Sequence, residues 1–157
     1  MNQKDFVRTL GWIYEHSPWV AERAWVHRPF GSLTELATAM SDEVKRAPRA
    51  EQLALIRAHP DLGARARMAD ASVREQAGAG LDQLTQPEYD ELQELNGAYT
   101  GRFGFPFILA VRGKTKREVL DNIRERLAND EDAEWNRALA EIHRIALFRL
   151  QDTVEGS

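Results

Sequence analysis

Apolar residues recur along this chain at three- and four-residue steps, the spacing that lines side chains along one face of an α-helix. Phe6, Leu10 and Ile13 form one such series, Leu33, Leu36, Ala37, Met40 and Val44 a second, and Leu92, Leu95, Tyr99 and Phe103 a third. Further on, Val119, Leu120, Ile123 and Leu127 make one stripe and Trp135, Leu139, Ile142, Ala146 and Leu150 another, parted by the turn-prone Asn129-Asp130-Glu131-Asp132. Helix starts are marked as well. Ser17-Pro18 puts a proline where a first-turn N–H has no partner, while Ser32…Glu35, Ser72…Glu75, Thr85…Glu88 and Thr115…Glu118 have capping-box spacing. The pattern predicts an all-α fold, a compact single-domain bundle of about seven or eight helices.

One stretch breaks the rule. Gly104-Phe105-Pro106-Phe107-Ile108-Leu109-Ala110-Val111-Arg112-Gly113 is apolar without helical spacing, is bounded by glycines, and contains a proline that disfavours a helix through it. It reads as a buried extended segment over about 104–113. Extended backbone inside a helical protein leaves N–H and C=O groups without ladder partners, and buried groups of that kind must bond to something. Two readings stay open on the pattern alone. A ligand could satisfy them, or the segment is an apolar linker capped by neighbouring side chains and buried water.

Composition narrows the classes. A length of 157 residues suits one domain over 1–157, with an ordered core expected over about 3–153. The absence of cysteine removes disulfides, thiolate zinc sites and thiol nucleophiles, and fits a reducing, cytoplasmic setting. A net charge of -4, with both signs interspersed, provides no basic stripe for nucleic acid. Neither a signal peptide nor a membrane anchor is readable after Met1, and Val154-Glu155-Gly156-Ser157 is not a peroxisomal ending, so a soluble protein is expected.

Four polar features could carry chemistry. His59 follows Leu55 and Ile56 at helical spacing and precedes Pro60, so it should point inward at a helix end. An imidazole in a cleft exchanges protons near neutrality, which makes His59 the strongest acid/base candidate among His16, His27, His59 and His143, although an inward histidine can equally be a hydrogen-bonded core residue. Asp61 suits a turn, and with no second histidine at ligand spacing no metal is expected. Ser72-Val73-Arg74-Glu75-Gln76 is a helix start that caps itself, yet its N–H groups could also hold an anion. Arg149 shares the apolar face of the last helix and needs a carboxylate, carbonyls or an anionic ligand, unless its stem covers apolar surface while the head stays wet.

Together, Phe30-Gly31-Ser32-Leu33, His59-Pro60-Asp61-Leu62-Gly63, Ser72-Val73-Arg74-Glu75-Gln76, Ala79-Gly80-Leu81, Asn96 with Tyr99, and Phe103-Gly104-Phe105-Pro106-Phe107-Ile108 resemble, in order and spacing, the 2-oxo-4-hydroxy-4-carboxy-5-ureidoimidazoline (OHCU) decarboxylases. The resemblance runs from about Phe6 to about Leu150. It implies an all-α homodimer that decarboxylates OHCU to (S)-allantoin in urate breakdown, without cofactor or metal, in functional association with 5-hydroxyisourate hydrolase. It also implies that His59 and Glu75 are catalytic and that Pro60, Ser72, Val73, Arg74, Gln76, Phe107, Ile108, Leu109, Ala110, Val111 and Arg149 contact substrate. The stretch Met68-Ala69-Asp70-Ala71 is short for the family, which leaves the loop after His59 open. Two rivals stand beside this reading: a helical adaptor whose Phe-rich segment forms a partner groove, and a histidine-dependent hydrolase of a related ureide.

Overall fold

The computed structural model describes residues 2–62 and 84–155, and helices are its only regular elements there. They are α1 (Gln3–Leu10), α2 (Trp19–Ala24) running into a 3-10 turn (Trp25–His27), α3 (Leu33–Arg46), α4 (Arg49–Ala58), α5 (Gln86–Phe103), α6 (Lys116–Arg126) and α7 (Glu131–Glu155). The all-α expectation therefore holds, with seven α-helices among the described residues. None of them is long and apolar enough to cross a membrane. The chain divides into two units: residues up to Ala58 together with those from Ile142 onward, and His59–Glu141.

In the first unit, Asn2 caps α1 by accepting the Asp5 amide at 2.8 Å, and Phe6 and Leu10 are buried. The helix stops at Gly11, where a Cβ would lie 2.5 Å from the Val7 carbonyl oxygen. Ile13, expected on the same helical face, thus lies beyond α1 but is still buried. Helix α2 contributes Val20, Ala21 and Ala24 to the core and packs on α3. Ser32 caps α3 by accepting the Glu35 amide at 3.1 Å. The reciprocal half of the box is displaced by one residue, because the Glu35 carboxylate takes the Gly31 amide instead. Leu36, Met40 and Val44 then face inward at the expected spacing.

In the second unit, Thr85 and Thr115 form complete capping boxes with Glu88 and Glu118 and fix where α5 and α6 begin. Helix α5 buries Leu92, Asn96, Tyr99 and Phe103, with Asn96 in the inward place where Leu95 was expected. Gly104, at φ 77°, ends it in the left-handed region that a side chain would strain. Residues 105–111 follow without helix or strand, and Gly113, at φ 82°, turns the chain into α6. On α6 the inward stripe is Val119, Leu120, Ile123 and Arg126, so the position after Ile123 belongs to an arginine and Leu127 is the half-buried cap. Asp130 accepts the Ala133 amide at 2.7 Å and starts α7. Trp135 and Leu139 are buried along the part of α7 in this unit, and Ile142, Ala146 and Leu150 along its part in the first, as their spacing predicts.

Candidate active site

Helix α4 ends at Ala58 because Pro60 disfavours helical backbone at the residue before it. His59 therefore leaves the helix, and it does so inward: it is 2 % exposed, whereas Pro60 is exposed. Leu55 and Ile56, one turn earlier on α4, are fully enclosed.

The same unit holds the non-helical stretch. Phe107, Ile108, Leu109, Ala110 and Val111 are all buried. Aromatic rings fix its first half: Tyr99 meets Phe107 edge-on with centroids 5.2 Å apart, and Phe105 meets Trp135 edge-on at 5.9 Å. Such pairs add about 0.5–1.5 kcal/mol each beyond the area they bury. Among the described residues, the only main-chain hydrogen bond made by 105–111 to another main chain is Val111 carbonyl to the Lys114 amide, at 3.0 Å. Two charged side chains supply what the backbone lacks. Arg126 donates from Nη1 to the Ile108 carbonyl at 2.7 Å, and the Ala110 amide donates to Glu141 Oε1 at 2.9 Å.

Both charges are themselves tied down. Arg126 Nε donates to Glu134 Oε1 at 2.8 Å, Tyr99 donates its hydroxyl to the same oxygen at 2.5 Å, and Asn129 Nδ2 donates to Glu134 Oε2 at 2.8 Å. The guanidinium also lies 4.4 Å from the centre of the Phe107 ring. Burial, then the bond to Glu134, pushes the Tyr99 hydroxyl well above its ordinary pKa, so it remains a donor. Glu141 Oε2 accepts from Arg137 Nε at 3.0 Å. A fully buried carboxylate is tolerable only when its lone pairs are met in this way. The spacing analysis singled out Arg149 on an apolar face but missed Arg126, Glu134 and Glu141. The same test would have found them, since Arg126 follows Val119 and Ile123 by seven and three residues, and Glu134, Ala138, Glu141 and Ile145 lie on one helical face.

Arg149 belongs to the other unit. It is 7 % exposed, and Nη1 donates to the Ile13 carbonyl at 3.2 Å and to Glu15 Oε2 at 3.1 Å. Of the partners its sequence position demanded, carbonyls and a carboxylate are both present. Nearby in sequence, Tyr14 and His143 form a further buried polar pair, hydroxyl to Nδ1 at 2.8 Å, beside a cavity of about 300 Å³ lined in part by Thr38, Ser41 and Leu147. Burial pushes the His143 ring down to about 4, with Lys45 lowering and Asp42 raising it. Glu75, Ser72, Val73, Arg74 and Gln76, together with the Ser72…Glu75 cap, lie outside the described residues.

Comparison with known proteins agrees with the motifs. Residues 1–151 match the model of the OHCU decarboxylase family. The uric acid degradation bifunctional protein PucL of Bacillus subtilis (strain 168) is 50 % identical over 154 residues, which cover 98 % of this chain and 31 % of that protein. A 2-oxo-4-hydroxy-4-carboxy-5-ureidoimidazoline decarboxylase of Haloferax volcanii is 47 % identical over 152 residues, 97 % of this chain and 90 % of that one. The chain thus spans about a third of one relative and nearly all of the other. Among solved structures, a crystal structure of (S)-allantoin synthase superposes with a TM-score of 0.82 at 34 % identity, over 98 % of this chain and 51 % of that one.

Proposed function

The chain belongs to the OHCU decarboxylase family, and on that premise we propose that it converts 2-oxo-4-hydroxy-4-carboxy-5-ureidoimidazoline to (S)-allantoin in urate catabolism. The observation that carries the reading is the buried His59 at the head of His-Pro-Asp-Leu-Gly, in the same unit as a main-chain segment with no ladder partner among the described residues. An enclosed imidazole beside a helix end is placed to move a proton rather than to solvate a surface.

The chemistry asks little more. When the C–COO⁻ bond breaks, CO2 leaves and the electron pair passes into the adjacent ring C=N, so the substrate provides its own electron sink. The chain's residues hold the ring, turn its carboxylate away from solvent, and deliver one proton to one face, which sets the S configuration. In this assignment His59 exchanges the proton and Glu75 orients it. Pro60, Ser72, Val73, Arg74, Gln76 and residues 107–111 grip the ring and ureido group. Arg149 takes the anionic end, its planar fork being suited to a carboxylate.

The finer setting follows the same proposal: a single domain, a homodimer, cytoplasmic, working next to 5-hydroxyisourate hydrolase, whose labile product it consumes. The bifunctional Bacillus relative, in which the matching region is one part of a longer uric acid degradation protein, supports such coupling.

The test is optical. Freshly generated OHCU is supplied, and circular dichroism follows (S)-allantoin against the slow, racemic spontaneous decay. Accelerated, enantiopure product is expected from the wild type. His59→Ala should lose roughly 100- to 10,000-fold in kcat. Racemic product at the spontaneous rate from the wild-type chain would refute the activity. Ammonia release in place of CO2 would point to a ureide hydrolase.

A further inference from the structure

Residues 107–111 pair with no strand among the described residues, and two charged side chains hold them instead. Arg126 takes the Ile108 carbonyl and Glu141 takes the Ala110 amide, two residues further on. We propose that Arg126 and Glu141 are positioning residues for decarboxylation, locking the conformation in which the segment 107–111 meets substrate. The inference rests on the proposed contact between substrate and 107–111, and it adds two residues that the motif resemblance does not reach.

Three observations favour positioning over simple support. First, the bonds are charge-assisted, which makes them shorter and stronger than amide–amide bonds and intolerant of drift. Second, Arg126 is itself immobilised, by Glu134 and by the Phe107 ring. Third, the arrangement is a costly way to stabilise a core. A buried ion pair such as Arg126–Glu134 usually contributes less than apolar side chains of equal volume, so its use where a catalytic segment must be held still fits a demand for geometry.

The decisive variants are Glu141→Gln and Glu141→Met, with Arg137→Gln as a control. Glutamine retains an oxygen that accepts the Ala110 amide, and methionine does not. The expected outcome is a fall in kcat of about 10- to 100-fold for Glu141→Met, the range that small misplacement near a reacting group produces. Glu141→Gln should stay within about threefold of wild type, and Arg137→Gln should be unaffected, since Arg137 reaches only the outer carboxylate oxygen. Amide hydrogen exchange adds a readout independent of turnover: protection of the Ala110 amide should survive in Glu141→Gln and be lost in Glu141→Met.

If Glu141→Met keeps wild-type kcat, or Glu141→Gln loses as much as Glu141→Met, positioning through that hydrogen bond is refuted. Should Glu141→Met fail to fold, Arg126→Lys makes the same comparison, because lysine keeps a charge beside Glu134 but lacks the fork that reaches the Ile108 carbonyl as well. A fall in its kcat at unchanged melting temperature supports the assignment, and unchanged kcat overturns it. An inactive wild type with intact, Glu141-dependent protection would refute the proposed activity while upholding the clamp on the segment.

Discussion

His143 offers a test in which the magnitude can be worked out beforehand. Its ring is mostly enclosed, Nδ1 is bonded to the Tyr14 hydroxyl, and Nε2 is buried with no hydrogen-bond partner. Protonation would place a cation in that setting, and burial accordingly lowers the ring from the ordinary 6.5 to about 4. Between those two values the unfolded chain binds the proton and the folded chain does not, so stability rises with pH through the window. The contribution is whole above about pH 6.5, and it is lost as the pH falls toward about 4. At about pH 5 the loss reaches at most about 2 kcal/mol, a ceiling because the ring is not completely shielded. Urea unfolding of wild type and His143→Phe at about pH 7.5 and about pH 5 isolates this ring, since every other ionisable group is common to both proteins. Phenylalanine leaves the Tyr14 hydroxyl without its acceptor, a constant penalty of about 1 kcal/mol that cancels when the two pH values are compared. The wild-type advantage should shrink by up to about 2 kcal/mol on acidification. An advantage that does not change with pH, or a ring proton that titrates with its midpoint at the ordinary value, would refute the reasoning.

Arg126→Met should destabilise by about 3–5 kcal/mol, because it strands the Glu134 carboxylate. Adding Glu134→Leu should recover much of that loss in a double-mutant cycle read by urea unfolding, and strictly additive penalties would contradict the pairing. Gly104→Ala should cost about 1–2 kcal/mol from backbone strain alone, since a Cβ there meets nothing within 4 Å; an unchanged melting temperature would argue against the left-handed turn. Thr115→Ala removes half of a complete capping box and should cost about 1 kcal/mol, with faster amide exchange in the first turn of α6 as its local signature. Arg149→Met should raise KM more than it lowers kcat if the side chain serves binding, and equal losses in both kcat and kcat/KM would move it to the transition state.

Much of this protein is legible in one dimension. Periodicity placed α3, α5, α6 and α7, because an amphipathic helix writes its inward face into the sequence every three or four residues, and Thr85 and Thr115 marked their starts because a capping hydroxyl acts within one turn. The glycines that bound 104–113 and the proline within it marked the non-helical stretch, since both act on the backbone locally. His59 was expected to turn inward, and does. The motifs led to the family.

What a linear pattern cannot hold is partnership between distant residues. That Arg126 reaches Ile108, that Glu141 meets the Ala110 amide 31 positions away, and that Tyr14 bonds His143 across 129 positions depend on how helices pack. Stripes of apolar residues say which face of a helix is buried and nothing about which polar groups arrive there with it. A buried charge is tolerated only where another element brings its counterpart, and that condition is met in three dimensions. Local chemistry therefore determined the helices, their ends and the inward histidine, while tertiary packing alone decided how the unladdered segment is held.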